Sequence, residues 1–172
     1  MSLNLYDISI PPFLRFLQNL SNILKKGEEW ANENSKDHSQ LLHARLFPDM
    51  QDLVFQVQRV SDTAKNCIMR VGGAEAVPLP DEEKTFADLY TRIEKTISIL
   101  QGVDRKTFDG TEDKEIVIKP LGSEFKFSGK SYVLDYAVPN FYFHVTTAYA
   151  LLRKMGVPLG KFDYMGAEAD KK

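Results

Sequence analysis

His144 is the side chain whose type and position most invite chemistry. It falls on the apolar stripe of the last amphipathic segment, with Phe141, Ala148, Leu151 and Met155, and not on a wet face. An imidazole placed there must find a partner or stay neutral. It is either a satisfied core histidine or an acid/base or ligating group facing a pocket, and both readings stay open. Asp62 lies beside the apolar stripe of an earlier segment, with Arg59 three residues before it and Lys65 three after, so all three are neighbours on a helix surface. They read first as a surface ion-pair cluster, which contributes little to stability. Turned inward, Asp62 could instead orient His144. Tyr142 and Tyr149 are seven residues apart and share another face, where they could line a cavity or an oligomer contact. Arg45 and Asp49 flank Phe47-Pro48 and fix a turn there; in the alternative, Arg45 holds an anionic group at a pocket mouth.

A metal centre needs three or four suitable ligands. The histidines are His38, His43 and His144, and Ala148 occupies the position that would complete an H-x-x-x-H pair with His144. His43 could approach His144 in a folded bundle, but two histidines with an acid make a weak site, and no tightly held metal is expected. Cys67, the lone cysteine, can form no intramolecular disulfide and reads as core. There is no P-loop, dinucleotide fingerprint or nucleophile elbow. A net charge of −2 with basic residues only in doublets argues against nucleic acid as a partner. No apolar run approaches the ~20 residues needed to cross a bilayer. The opening residues lack the features of a secretory signal, so a cytoplasmic protein without membrane partners is expected.

These residues need helices to position them. Ser9-Ile10-Pro11-Pro12 suits a helix start, and Phe13, Leu17, Leu20 and Leu24 give the stripe that follows, with Gly27 expected to end or bend it and Trp30 to anchor a polar extension. A second helix is expected from about Pro48-Asp49, where Leu53, Val57, Val60, Ala64, Cys67 and Val71 alternate steps of four and three until Gly72-Gly73. Residues 74–84, with Pro78 and Pro80, read as a crossing loop. Thr85-Phe86-Ala87-Asp88 is a capping box opening a third helix, with Phe86, Leu89, Ile93, Ile97 and Leu100 inward and Gly102 at its close. Residues 115–119 and 124–128 have strand character and predict a β-hairpin. Pro139 should break or kink the chain at Val138 and open the last helix, which Gly156 ends. The aromatic run 141–143 needs cover, which a second subunit could supply, and Phe162, Tyr164 and Met165 are expected to dock on the bundle. One domain over residues 1–172 is expected, frayed after about 166.

The stretches Ala44-Arg45-Leu46-Phe47-Pro48-Asp49-Met50, Gln56-Val57-Gln58, Asp62-Thr63-Ala64-Lys65, Thr107-Phe108-Asp109-Gly110 and Val138 through Tyr149 together resemble a family that carries only a domain-of-unknown-function label, among the DinB/YfiT-like proteins. The resemblance runs from about Tyr6 to Gly166. It implies an all-α, DinB-like four-helix bundle with a long crossover, often dimeric. The wider superfamily commonly binds a divalent metal through three histidines and includes thiol-dependent transferases and isomerases; of that set only His144 carries over. The sequence thus points to a homodimer with a small-molecule pocket near His144, oriented by Asp62 or Tyr149 and lined by Arg45 and Tyr142. A divalent-metal enzyme of the type the resemblance implies, with His144, His43 and Asp62 as provisional ligands, and a non-catalytic interaction protein are the alternatives, and whether any reaction occurs is left open.

Overall fold

A computed structural model describes residues 3–119 and 122–166. Helix α1 (Leu5–Glu33) starts five residues before the expected point. Asn4 is the cap: its side-chain oxygen accepts from the Tyr6 and Asp7 amides, and the Asp7 carboxylate takes the Asn4 amide at 3.0 Å. Pro11 and Pro12 therefore lie inside the helix, where the carbonyls of Asp7 and Ile8 lose their amide partners. Ser9, the expected cap, turns its hydroxyl back to the Leu5 carbonyl at 2.6 Å. Nor does Gly27 end the helix. A Cβ at that position would stand 3.0 Å from a Leu152 methyl, so the glycine instead lets two helices approach closely.

Helix α2 (His38–Leu42) is short, and α3 (Leu53–Arg70) begins at an Asp52 cap rather than at Pro48-Asp49. The α3 stripe Leu53, Val57, Val60, Ala64, Cys67 and Val71 is fully buried. Helix α4 (Phe86–Gln101) opens with both bonds of the Thr85/Asp88 capping box and closes at Gly102. A 3-10 turn (Arg105–Phe108) leads to strands β1 (Glu115–Ile118) and β2 (Phe125–Ser128), paired antiparallel with Glu115 opposite Ser128 and Ile118 opposite Phe125. Ile116 and Ile118 are buried, so one face of the hairpin packs on the core. Helix α5 (Gly129–Ser131) then runs into a π-helical turn (Tyr132–Ala137), α6 (Val138–Lys154) and α7 (Lys161–Met165).

Of the break or kink expected before Pro139, the break does not occur: Val138 is helical, at φ −64° and ψ −50°, at the end of the π turn. Its amide reaches five residues back to the Val133 carbonyl, and this wider turn shifts the carbonyl register just upstream of the one residue that has no N–H to give. At the other end of the chain only Tyr164 docks as expected, edge-on to Phe16 at 5.2 Å; Phe162 stays 73% exposed. The expected frayed tail lies outside the described residues.

Four long helices make the bundle. Helix α1 packs on α4 and α6, and α3 packs on the same two, most heavily on α6, which leaves α1 and α3 diagonal. Gln56, Thr63 and Arg70 of α3 meet residues 144, 140 and 132 in descending order, so α3 and the α6 strand of the bundle are antiparallel. Asp62 meets Arg92, while Ile68 and Ile99 line one groove near the far ends of their helices, so α3 and α4 run parallel. A parallel pair needs a connection that returns along the bundle. Residues 71–85 make it by lying along α3 in reverse: Ala74 bonds Ile68, Val77 bonds Lys65, Asp81 bonds Arg59 and Glu83 bonds Gln58. The result is a four-helix bundle with a long crossover and a small hairpin before its last long helix. Among the described residues no helix is long and apolar enough to cross a membrane.

Candidate functional site

The antiparallel contact of α3 with α6 and the π turn carries three polar rungs. Gln56 Oε1 and His144 Nδ1 are 2.7 Å apart, Asn140 Nδ2 donates to Thr63 Oγ1 at 2.7 Å, and an Arg70 guanidinium N–H donates to the Tyr132 hydroxyl at 2.9 Å. The α3 members stand seven residues apart, each just before a stripe residue (Val57, Ala64, Val71), so they border the apolar core at every second turn.

The first rung defines the state of His144. Gln56 is buried, and its amide nitrogen donates to the Gln51 carbonyl at 3.0 Å, which orients its oxygen toward the imidazole. An amide oxygen only accepts, so Nδ1 carries the proton and Nε2 has a free lone pair. Burial, reinforced by the positive charge of Arg59, lowers the His144 pKa to about 4, so the ring is neutral at physiological pH. Phe55 stands edge-on at 6.1 Å and Phe143 at 5.2 Å, and Arg59 stacks on Phe55 at 5.0 Å. Among the described residues nothing hydrogen-bonds Nε2.

Asp62 is placed elsewhere. Its carboxylate pairs with Arg59 at 3.0 Å, Lys65 at 3.3 Å and Arg92 at 2.9 Å, and Arg92 continues to Asp81 at 3.0 Å and Glu83 at 2.8 Å. Arg92 is among the most deeply buried side chains of the molecule, so this is no surface cluster: it straps the crossover to α3 and α4. Burial alone would raise the Glu83 carboxyl, but hydrogen bonds from Arg92 and Gln58 hold it below its ordinary value. Among the described residues no hydrogen bond or ion pair joins Asp62 to His144.

The other expected site residues also fall apart from His144. Tyr149 donates to the Leu159 carbonyl at 3.4 Å, and Tyr142 packs edge-on to Phe16 at 4.8 Å, both on the α6 face turned to α1 and α7 and away from α3. Arg45 spends a guanidinium N–H on the Met50 carbonyl, and its own carbonyl receives Lys154, ten residues and about 15 Å along α6 from His144. Of the aromatic run, Phe141 is fully buried and only Phe143 is left exposed, so the face needing cover is smaller than expected. Cys67 is core, its thiol pushed up to about 12 by burial.

The provisional metal ligands do not converge. His43 is exposed and its Nδ1 faces the Asp52 cap at 3.1 Å, Asp62 is held by three cations, and Gln56 occupies His144 Nδ1. Ala148 is fully buried in the core. Among the described residues no three His, Cys, Asp or Glu side chains form a metal-holding group. The residues present do not fit the three-histidine set that the resemblance implies.

Beside the ladder lies a cavity of about 220 Å³ that the sequence did not reveal. Arg59, Thr63 and Asn140, the last one helical turn from His144, form its wall toward the first rung, with Arg70, Tyr132 and Tyr136 further along and Ile118 and Lys119 closing it at the end of β1. The hairpin is thus part of the site's wall.

Comparison with known proteins agrees with this architecture. Residues 5–165 match the family described as a domain of unknown function, DUF1993. A crystal structure of a DinB family member protein from Shewanella denitrificans superposes with a TM-score of 0.89 at 36% identity, over 94% of this chain and 92% of that one. The comparison with curated proteins gives no match. With nearly the whole chain covered by both the sequence match and the structural one, the protein belongs to the DUF1993 family, within the DinB-like superfamily.

Proposed function

We propose that this protein binds a small molecule in the cleft between α3 and the π turn and α6, with His144 as a neutral acid/base group at its edge. The observation that supports this reading is the Gln56-oriented imidazole: Nδ1–H is committed to a buried amide, Nε2 has no hydrogen-bond partner among the described residues, and Asn140, one helical turn away, stands in the wall of a polar cavity. A base with a pKa near 4 holds little proton at neutral pH, so its first role is to accept a hydrogen bond from a ligand O–H or N–H. Any proton transfer follows from that contact. The chain works as a homodimer in the cytoplasm on this reading; the support is the exposed Leu134 of the π turn and Phe143 of α6 and the single, buried cysteine.

Two measurements test it. Two-bond 1H–15N spectra at neutral pH should show Nδ1 protonated and Nε2 bare; a protonated Nε2 would sink the assignment. In a thermal-shift screen of small polar molecules, a folded His144→Ala variant should lose the response of the wild type, and an unchanged response would remove His144 from the site. Sedimentation separates monomer from dimer.

A further inference from the structure

We propose that the cavity between α3, the π turn and the end of β1 is a cradle for a small anion, a carboxylate or a phosphate, gripped by Arg70 and the Tyr132 hydroxyl. This rests on the reading of the cleft as the binding site and names the chemistry of what it takes.

Around the cavity the carboxylate and the threonine hydroxyl are already partnered, while two cationic side chains and a phenol keep donors in hand. Asp62, the one carboxylate in its wall, is already met by Arg59, Lys65 and Arg92. The Thr63 hydroxyl donates to the Arg59 carbonyl at 2.7 Å and accepts from Asn140, so it is spent in both directions. Arg70 differs. Among the described residues its guanidinium has no carboxylate partner; it gives one N–H to Tyr132 and lies 5.6 Å from that ring's centre. Tyr132 is fully buried and accepts that bond, and no described residue accepts the phenolic hydrogen in turn. Burial pushes this phenol up to about 12, so it stays a donor throughout the physiological range. The Nε of Arg59 in the cavity wall is buried without an acceptor, as is the Nε of Arg92 in the strap, so the lack of an anion at Arg70 is what sets the cavity apart.

Leaving donors without acceptors in a half-buried wall costs free energy that a ligand rich in acceptors recovers. The planar guanidinium of Arg70 offers a fork that matches two oxygens of a carboxylate or phosphate, and its place against the Tyr132 ring limits its rotation. Lys119, which also pairs with Glu124 at 3.2 Å, adds positive charge at the hairpin side. At about 220 Å³ the space is below the usual range for drug-sized ligands, so the fit is to a small organic acid or inorganic phosphate and not to a nucleotide. The π turn matters here because Tyr132 and Tyr136 both line the cavity from it.

The test is calorimetry and thermal shift on the full chain with benzoate, succinate and inorganic phosphate, against the neutral benzamide and succinamide. At about ten times its Kd a bound anion should raise Tm by roughly 3–6 °C. The amides should do nothing. Tyr132→Phe, which keeps the ring, should weaken the anion about tenfold, and Arg70→Gln should abolish binding in a protein whose circular dichroism is unchanged. Benzoate or succinate binding alone identifies a carboxylate site, and phosphate alone a phosphate site. No response to any of the three anions, amides that bind as well as acids, or full binding by both variants would overturn the cradle. The two readings separate through His144→Ala. If acids and amides bind alike and both responses vanish in that variant, the cradle falls and the His144 reading stands. If anions bind through Arg70 and His144→Ala binds them equally, the cradle stands and the role given to His144 falls.

Discussion

Helix α3 serves two polar clusters that treat charge differently. Around Asp62 and Arg92 the cationic and anionic groups answer one another: three cations meet Asp62, and Arg92 is shared among Asp62, Asp81 and Glu83. Around Arg70 and Tyr132, two to three turns further along, a cation has only a phenol to bond and the phenol's own hydrogen is left over. The first arrangement does a structural job, since its members come from α3, α4 and the crossover and hold those three together. The second has nothing further to hold, because the α3–α6 contact is already made by apolar packing that runs the length of both helices. A network whose charges are matched marks a joint, and a cation left without an anion marks a vacancy that a ligand can take.

The sharpest way to break this comparison is to remove one arginine from each cluster. Arg92→Leu leaves Asp62, Asp81 and Glu83 without their shared buried cation and should cost about 3–5 kcal/mol of unfolding free energy in urea titrations. Arg70→Gln gives up one hydrogen bond and should cost about 1 kcal/mol. Equal losses would mean that the two clusters do the same work. A second contrast lies in the wall. A Cβ on Gly129 would stand 2.0 Å from the Thr111 carbonyl oxygen, a backbone atom that cannot step aside alone. Gly129→Ala should therefore cost about 1–3 kcal/mol and loosen the hairpin against the π turn. Hydrogen exchange should register it first at the Lys130 amide, which bonds the Glu112 carbonyl at 2.8 Å, while amides near the Asp62–Arg92 strap keep their protection.

The same contrast separates what the sequence reveals from what it conceals. Apolar or alternating spacing is sufficient for the α3 stripe and the hairpin, and a polar box for the start of α4, because each is decided within a few residues of chain. Helix starts were harder where two candidate caps competed: Asn4, with Asp7 three residues on, outweighs Ser9 before two prolines, since a full capping box satisfies more free amides than a preset φ does. His144 could be singled out by its stripe position, but its partner could not, because Gln56 lies 88 residues away and the pairing depends on how α3 sits on α6. A signal was present in the seven-residue recurrence of Gln56, Thr63 and Arg70, polar residues at the rim of an apolar stripe. Asp62 reads first as a surface group for the complementary reason: its local partners Arg59 and Lys65 are visible in the sequence, whereas buried Arg92 and the returning crossover are brought to it only by the topology.

The smallest of these effects is resolved by pH. His144 has a folded pKa of about 4 against an ordinary 6.5, so the unfolded chain binds a proton more readily than the folded one. Its contribution to stability is complete above pH 6.5 and is lost progressively as the pH falls from there toward about 4. The strap has the opposite kind of group and a different window: the lowered Glu83 carboxyl stabilises the fold above its ordinary 4.5 and loses that contribution only below it. Wild-type stability in urea should therefore already slope downward between pH 6.5 and 4.5, before the strap carboxyl begins to protonate. His144→Gln, which can keep a hydrogen bond to Gln56 but cannot take a proton, should flatten that part of the curve and leave the fall below 4.5 in place. An identical slope in the variant would show that the imidazole is not held neutral by the α3–α6 contact, and the division between a neutral ladder and an ionic strap along α3 would fail with it.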